Sequence, residues 1–269
     1  MNKQITIALV LTILLTVNLY GQENQKIDLK QSNFSISLGG VLTSFQDVKY
    51  SNVHYNGIGT NFSFGYEKIK KNYFSTNLNL IYSNEKAKTH NFGKTTVLNG
   101  IIDVSYLRLI LKKENQKLYV GAKWDVLDLY YRLTENLGNN GFFFTSGSNL
   151  KLASLYERTI SDKLKLRAGF NFQLFSFMKE STGFGFSAPQ DALEDGEFSY
   201  QNEKLEAPFG FKYYTFESFT KYLNIDTKIE VHYKKRWVLV YKWNMQRSNK
   251  VKNYPMTRGY SALSVQYKF

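Results

Sequence analysis

The chain has 269 residues, with 35 Lys and Arg against 22 Asp and Glu, a formal net charge of +13. Hydrophobic residues make up 43% and charged residues 21%, which excludes a disordered composition. There is no cysteine, so disulfide scaffolds, thiolate zinc sites, cysteine nucleophiles and a cysteine-borne lipid anchor are excluded; three histidines are too few for a His-rich metal site, and no cofactor site is expected.

Residues 1–21 read as a secretory signal peptide. Lys3 supplies the positive start, Ile5 to Val17 is an uncharged apolar run too short to span a bilayer, and Gly21 is a small residue ahead of polar Gln22. Residues 22–33 are expected to be an N-terminal periplasmic segment and 34–269 a single β domain. No other stretch approaches 18 consecutive apolar residues. The mature chain is therefore either a soluble exported protein or a closed β-barrel, since closure satisfies every backbone polar group in lipid.

From Phe34 onward the chain alternates with period two. Phe34, Ile36, Leu38 and Leu42 are interleaved with Ser35, Ser37 and Gly39; Ile58, Phe62, Phe64 and Tyr66 with Gly59, Asn61, Ser63 and Gly65. The same pattern recurs through Leu118, Val120 and Trp124 against Lys123 and Asp125, and through Ile225, Ile229 and Val231 against Asp226, Lys228 and Glu230. Alternation of this kind marks strands with one apolar and one polar face. It predicts ten strands, at 34–45, 57–67, 73–83, 96–111, 117–129, 149–160, 164–178, 223–233, 237–246 and 259–269. The stretch 209–222 is strand-like too, and is expected to extend strand eight above the membrane rather than add an eleventh.

The predicted connections alternate in length. Those at 68–72, 112–116, 161–163 and 234–236 are short; those at 46–56, 84–95, 130–148, 179–222 and 247–258 are long. Short periplasmic turns and long extracellular loops are the pattern of outer-membrane barrels. The three prolines, Pro189, Pro208 and Pro255, all fall in the long set, as expected of residues that cannot donate to a ladder. The expected fold is an all-β antiparallel transmembrane β-barrel of about 10 strands, with 8–12 as the range.

The chain closes Leu263-Ser-Val265-Gln-Tyr267-Lys-Phe269. This apolar alternation ending in Phe resembles the last strand of bacterial outer-membrane β-barrel proteins. The resemblance implies residence in the outer membrane of a Gram-negative cell envelope, with Leu263, Val265, Tyr267 and Phe269 as a signal read by the barrel assembly machinery. It is specific for the class and for no activity.

On this pattern Asp103, Lys123, Asp125, Glu157, Arg167, Asp226, Lys228, Glu230, His232 and Lys242 face the lumen. A compact set of mixed charges is expected to close into salt bridges, favouring a plugged barrel. Lysines in the short turns are placed at the periplasmic rim, against anionic headgroups, and this distribution argues against nucleic acid. The last long loop, with Arg247, Lys250, Lys252 and Arg258, is a candidate contact for lipopolysaccharide phosphates. The acidic run Asp191–Glu197 lacks the spacing of a calcium loop. Phe142-Phe143-Phe144 and the aromatics of the longest loop form a second candidate surface.

The functional readings are binding, structural or small-solute passage, with a narrow porin and a loop-borne hydrolase (protease or lipid-modifying) as alternatives. The hydrolase would draw on His54 or His90 in the first two outer loops, with Asp47, Ser51 and Glu85 nearby in sequence. The ligand is not specified by any motif.

Overall fold

The computed structural model describes residues 31–48, 51–87, 94–136, 139–180, 214–234, 236–249 and 255–269. The expected signal peptide, His90, the Asp191–Glu197 run, Lys250 and Lys252 lie outside them.

The strands are β1 (Gln31–Asp47), β2 (Ser51–Ile69), β3 (Asn72–Ala87), β4 (Lys94–Lys113), β5 (Gln116–Asn136), β6 (Asn139–Ser161), β7 (Leu164–Glu180), β8 (Thr215–Ser218), β9 (Tyr222–Tyr233), β10 (Trp237–Ser248) and β11 (Met256–Lys268). Each long strand pairs antiparallel with its chain neighbours, β7 pairs with β9, and β11 returns to β1. Ten strands therefore close into a barrel. The short β8 sits beyond the end of β9 on the same edge of β7, pairing Phe175–Met178 with Ser218–Thr215. It is the extension of the eighth barrel strand expected from 209–222, and closure gives each of the ten long strands a partner on both sides.

The faces of the wall are inverted relative to a soluble sandwich. Leu38, Leu42, Ile58, Leu98, Leu152, Phe170, Leu239 and Val265 are exposed on the outer face, whereas Ser37, Asn61, Asn79, Asp103, Asp125, Arg167 and Glu230 are buried inside. Ile58 is 74% exposed and Arg167 2%. A water-soluble protein rarely exposes apolar patches beyond a few hundred Å²; here the apolar residues form a band around the barrel. Aromatic rings edge the band at the short-turn end, where Trp237 meets Tyr267 at 5.1 Å and Tyr267 meets Phe269 at 5.3 Å. At the opposite end, Tyr214 stacks on Phe177 at 5.0 Å, and Phe216 packs on Phe175 and Phe177.

Inward glycines give the wall its bends. A Cβ on Gly59 would lie 1.9 Å from the Tyr82 carbonyl oxygen, and one on Gly39 2.1 Å from that of Leu263. Adjacent strands approach there more closely than any other residue permits.

The short connections are 70–71, 114–115, 162–163 and 234–236. Lys234 takes a left-handed conformation (φ 53°) in the last of them.

At the other end the strands run well past the expected limits, which corrects three sequence-based expectations. The first outer connection is confined to 48–50, not 46–56. The expected loop 130–148 is strand on both sides of 137–138, so Phe143 and Phe144 lie in β6, with Phe143 buried in the lumen. Arg258 lies inside β11 and points inward, 4% exposed, and does not offer its charge to the surface.

The physical reason in β5 is a bulge. Asp125 pairs with Asn149 and Asp128 with Gly147, so two residues oppose one. Such a bulge inverts the side-chain phase. Before it, odd-numbered Lys123 and Asp125 face inward; after it, even-numbered Asp128, Tyr130 and Arg132 do. A second bulge, at Leu174 in β7, likewise turns Phe175 outward and Ser176 inward.

The wall is uneven in height. β5 and β6 run 21 and 23 residues, while β9 and β10 run 12 each. About 9–11 tilted residues cross a bilayer, so the β5–β6 side projects farthest beyond it.

Candidate functional site

The lumen holds the charged side chains in three groups, each joining strands on different sides of the barrel. At the short-turn end Arg167 (β7) is the hub. Its Nε donates to Glu157 Oε2 at 2.8 Å and its Nη1 to Glu67 Oε2 at 3.0 Å, with Glu230 Oε2 3.5 Å away. Lys268 pairs with Glu67, Lys228 Nζ lies 2.7 Å from Glu230 Oε1, and His232 Nε2 lies 2.9 Å from Glu230 Oε2. Lys165 and Lys117 approach Glu157 at 3.4 and 3.9 Å. The Arg167–Glu67 bond crosses from β7 to β2. Every carboxylate here has a cation within ion-pair distance, as burial of charge requires.

The middle group has two lysines among three aspartates. Lys151 Nζ lies 2.7 Å from Asp125 Oδ2 and 2.5 Å from Asp226 Oδ2. Lys123 reaches Asp226 at 3.4 Å, Asp125 at 3.6 Å and Asp103 at 3.7 Å. Asn171 donates to Asp226, and Asn77 donates to Asp103 at 2.9 Å. Lys242 stands apart from the carboxylates: from β10 it crosses the axis to donate to Ser63 Oγ at 3.0 Å and Asn79 Oδ1 at 2.8 Å.

Toward the outer mouth Arg258 (β11) donates to Thr145 Oγ1 on β6 at 2.8 Å and to Gln246 Oε1, and its guanidinium lies 4.1 Å from the Tyr130 ring centroid. Gln246 in turn donates to Asp128 Oδ2 at 3.2 Å, joining β10 to β5. The Arg132 guanidinium lies 4.1 Å from the Phe45 ring centroid and 4.2 Å from that of Tyr55, with Glu85 Oε2 3.5 Å from its Nε. Cation–π contacts of this kind strengthen where water is excluded.

Apolar side chains close the spaces between these groups. Phe45, Val97, Tyr130, Phe143 and Met256 pack near the outer mouth, and Tyr73, Leu107, Tyr119, Ala153 and Leu155 near the short-turn end. Between them lies a cavity of about 120 Å³, bordered by Ser37, Ser63, Asn77 and Asn79 on one side and Lys123, Asp226 and Lys242 on the other. It is polar and has room for a small cluster of water molecules.

The ten residues read from the sequence as lumen-facing thus occupy the inner wall in two groups, with Lys242 apart. Sequence reasoning left out Glu67, Lys151 and Lys268, although all three lie in phase with the polar face. It also left out Asp128 and Arg132, which the bulge puts out of phase.

Among the described residues the hydrolase set is not assembled, and His90 lies outside them. His54 is exposed on the outer face of β2, whereas Glu85 and Asp47 are buried on the inner face of the wall. Among the described residues no group of three or more His, Asp or Glu is arranged to hold a metal ion.

No family model and no curated protein matches the chain. Solved structures do. The outer membrane protease OmpT of Escherichia coli aligns at a TM-score of 0.48 and 8% identity, over 92% of this chain and 99% of that one. The translocator domain of the autotransporter NalP from Neisseria meningitidis aligns at 0.40 and 10%, over 99% and 96%. Neisserial surface protein A aligns at 0.36 and 13%, over 89% and 99%. The assignment of this chain rests on its own geometry. A closed ring of ten antiparallel strands, apolar without and charged within, is an outer-membrane β-barrel of the Gram-negative envelope type.

Proposed function

We propose that this chain is a closed-lumen barrel whose activity is exercised at its outer surface and not by passage along its axis. The observation that carries the reading is the set of cross-lumen bonds at three heights: Arg167 to Glu67, Lys242 to Ser63 and Asn79, and Arg258 to Thr145. A ten-stranded barrel is only slightly wider than the eight-stranded kind that side chains fill, and here side chains from opposite walls meet. On the short-turn side the void left between them is bordered by the packed Tyr73, Leu107 and Leu155. The tall β5–β6 side of the wall supports the same reading, because it offers an extended surface above the membrane.

Reconstitution in planar bilayers tests it. The expected result is no stable stepwise conductance from the intact protein. Regular single-channel steps would overturn the reading in favour of a narrow porin.

Export through a cleaved signal peptide at residues 1–21, and recognition of β11 by the barrel assembly machinery, belong to the same proposal. Leu263, Val265 and Phe269 are exposed on one face of the strand that closes the barrel.

A further inference from the structure

The outer face of the wall is not uniformly convex. Across β3, β2, β1, β11 and β10 it carries a groove of about 840 Å³ in the half of the barrel nearer the long connections. Its floor is made of short side chains, Ser44, Gly259 and Ser261. Leu42 and Ile58 form one wall, and Trp243 and Met245 the other. These are outward-facing positions on their strands, in phase with the exposed apolar band.

The chemistry changes along the groove. At membrane depth it is bounded by Leu42, Ile58 and Trp243. Farther out come Asn56 and Asn84, and at the outer end Lys86. Lys86 is exposed and pairs in register with exposed Lys94, while Arg247 is exposed on β10 at the opposite margin. No acidic residue is among the described residues that line the groove.

An apolar trough that becomes polar and then cationic toward the cell exterior matches an amphiphile with acyl chains and an anionic head. We infer that the groove binds one molecule of the phosphorylated glycolipid of the outer leaflet, lipid A. An acyl chain would lie over Gly259 and Ser261, with phosphates between Lys86 and Arg247. Cations on both margins suit a headgroup with more than one phosphate better than a phosphatidylglycerol carrying a single one. This relocates the expected lipopolysaccharide contact from the last loop to the lateral wall, and it is independent of whether the lumen conducts.

Trp243 provides the probe. A protein retaining Trp243 alone, with Trp124→Phe and Trp237→Phe, is reconstituted in vesicles of brominated phosphatidylcholine. Unbrominated lipid A or unbrominated phosphatidylglycerol is then added at equal mole fraction. The expected result is that lipid A protects Trp243 from bromine quenching and phosphatidylglycerol does not. Ser261→Phe, which fills the trough from outside the barrel, abolishes protection. Lys86→Gln weakens lipid A retention about five-fold, the order expected for one cation near an anionic surface.

Heat-modifiable gel migration establishes that each variant is folded. Ser44→Phe serves as the second filling variant if Ser261→Phe does not assemble. Equal protection by the two lipids overturns the assignment to lipid A, and protection by neither overturns the site. A dimer in light scattering that Ser261→Phe converts to monomer overturns it in favour of a second copy of this chain.

Discussion

Lys151 carries the sharpest energetic test of the filled lumen. It is 2% exposed and lies 2.7 Å from Asp125 and 2.5 Å from Asp226. The middle group holds Asp103, Asp125 and Asp226 against Lys123 and Lys151, a local balance of −1. Lys151→Met makes it −2 and leaves Lys123, at 3.4–3.7 Å, as the remaining ion-pair partner of all three carboxylates. Removing one partner of a buried pair costs about 3–5 kcal/mol. Lys123 compensates in part, which places the expected loss near the lower end, at about 3 kcal/mol.

Adding Asp226→Asn restores the balance to −1 while keeping a polar group at the centre of the cluster. The double variant is therefore expected to recover about 1.5 kcal/mol of that loss, within the range of coupling energies for residues in one network. Urea unfolding in phospholipid vesicles, followed by tryptophan fluorescence, measures both quantities. A cost below about 1 kcal/mol for Lys151→Met, or a second substitution that adds to the loss, would refute the reasoning.

Other expectations follow from single features of the wall. Gly59→Ala places a Cβ against the Tyr82 carbonyl and is expected to cost about 1–3 kcal/mol in the same urea assay. Lys234→Gly removes a side chain from a left-handed backbone position in the last short turn, and is expected to raise stability by up to about 1 kcal/mol. Deleting Leu127 takes the extra residue out of the β5 bulge and sets Asp128 two places after Asp125, so that regular alternation keeps Asp128, Tyr130 and Arg132 facing the lumen. The deleted chain is expected to retain the heat-modifiable folded band on gels, and loss of that band would contradict the bulge.

The fold was legible because a bilayer imposes a strict rule on each strand. Ile225, Ile229 and Val231 against Asp226, Lys228 and Glu230 disclose both the strand and its orientation, with no knowledge of neighbours. Glu67 and Lys268 obey the same rule within the predicted strands 57–67 and 259–269, so their inward orientation was legible from the alternation itself. Lys151 lay in mid-strand on the polar face.

Asp128 and Arg132 were not legible, because the bulge at Val126–Leu127 shifts them to the opposite parity and breaks the pattern there. That loss of phase is why 130–148 read as a loop. Which charges meet across the axis was not legible either. Arg167 and Glu67 are brought together by closure of the ring, and alternation within one strand carries no information about the strand on the far side. The lateral groove was hidden for a related reason. Ser44, Gly259 and Ser261 are unremarkable singly, and form a trough only where β1 closes on β11.

The central claim is the inside-out orientation of the wall. Because the chain has no cysteine, single cysteines along β11 report it without interference. Spin labels at Ala262, Leu263, Ser264 and Val265 in reconstituted vesicles should show collision with membrane-dissolved oxygen that is high at Leu263 and Val265 and low at Ala262 and Ser264. The opposite phase, with Leu263 and Val265 shielded and Ser264 facing outward, would contradict the barrel and its place in the membrane together.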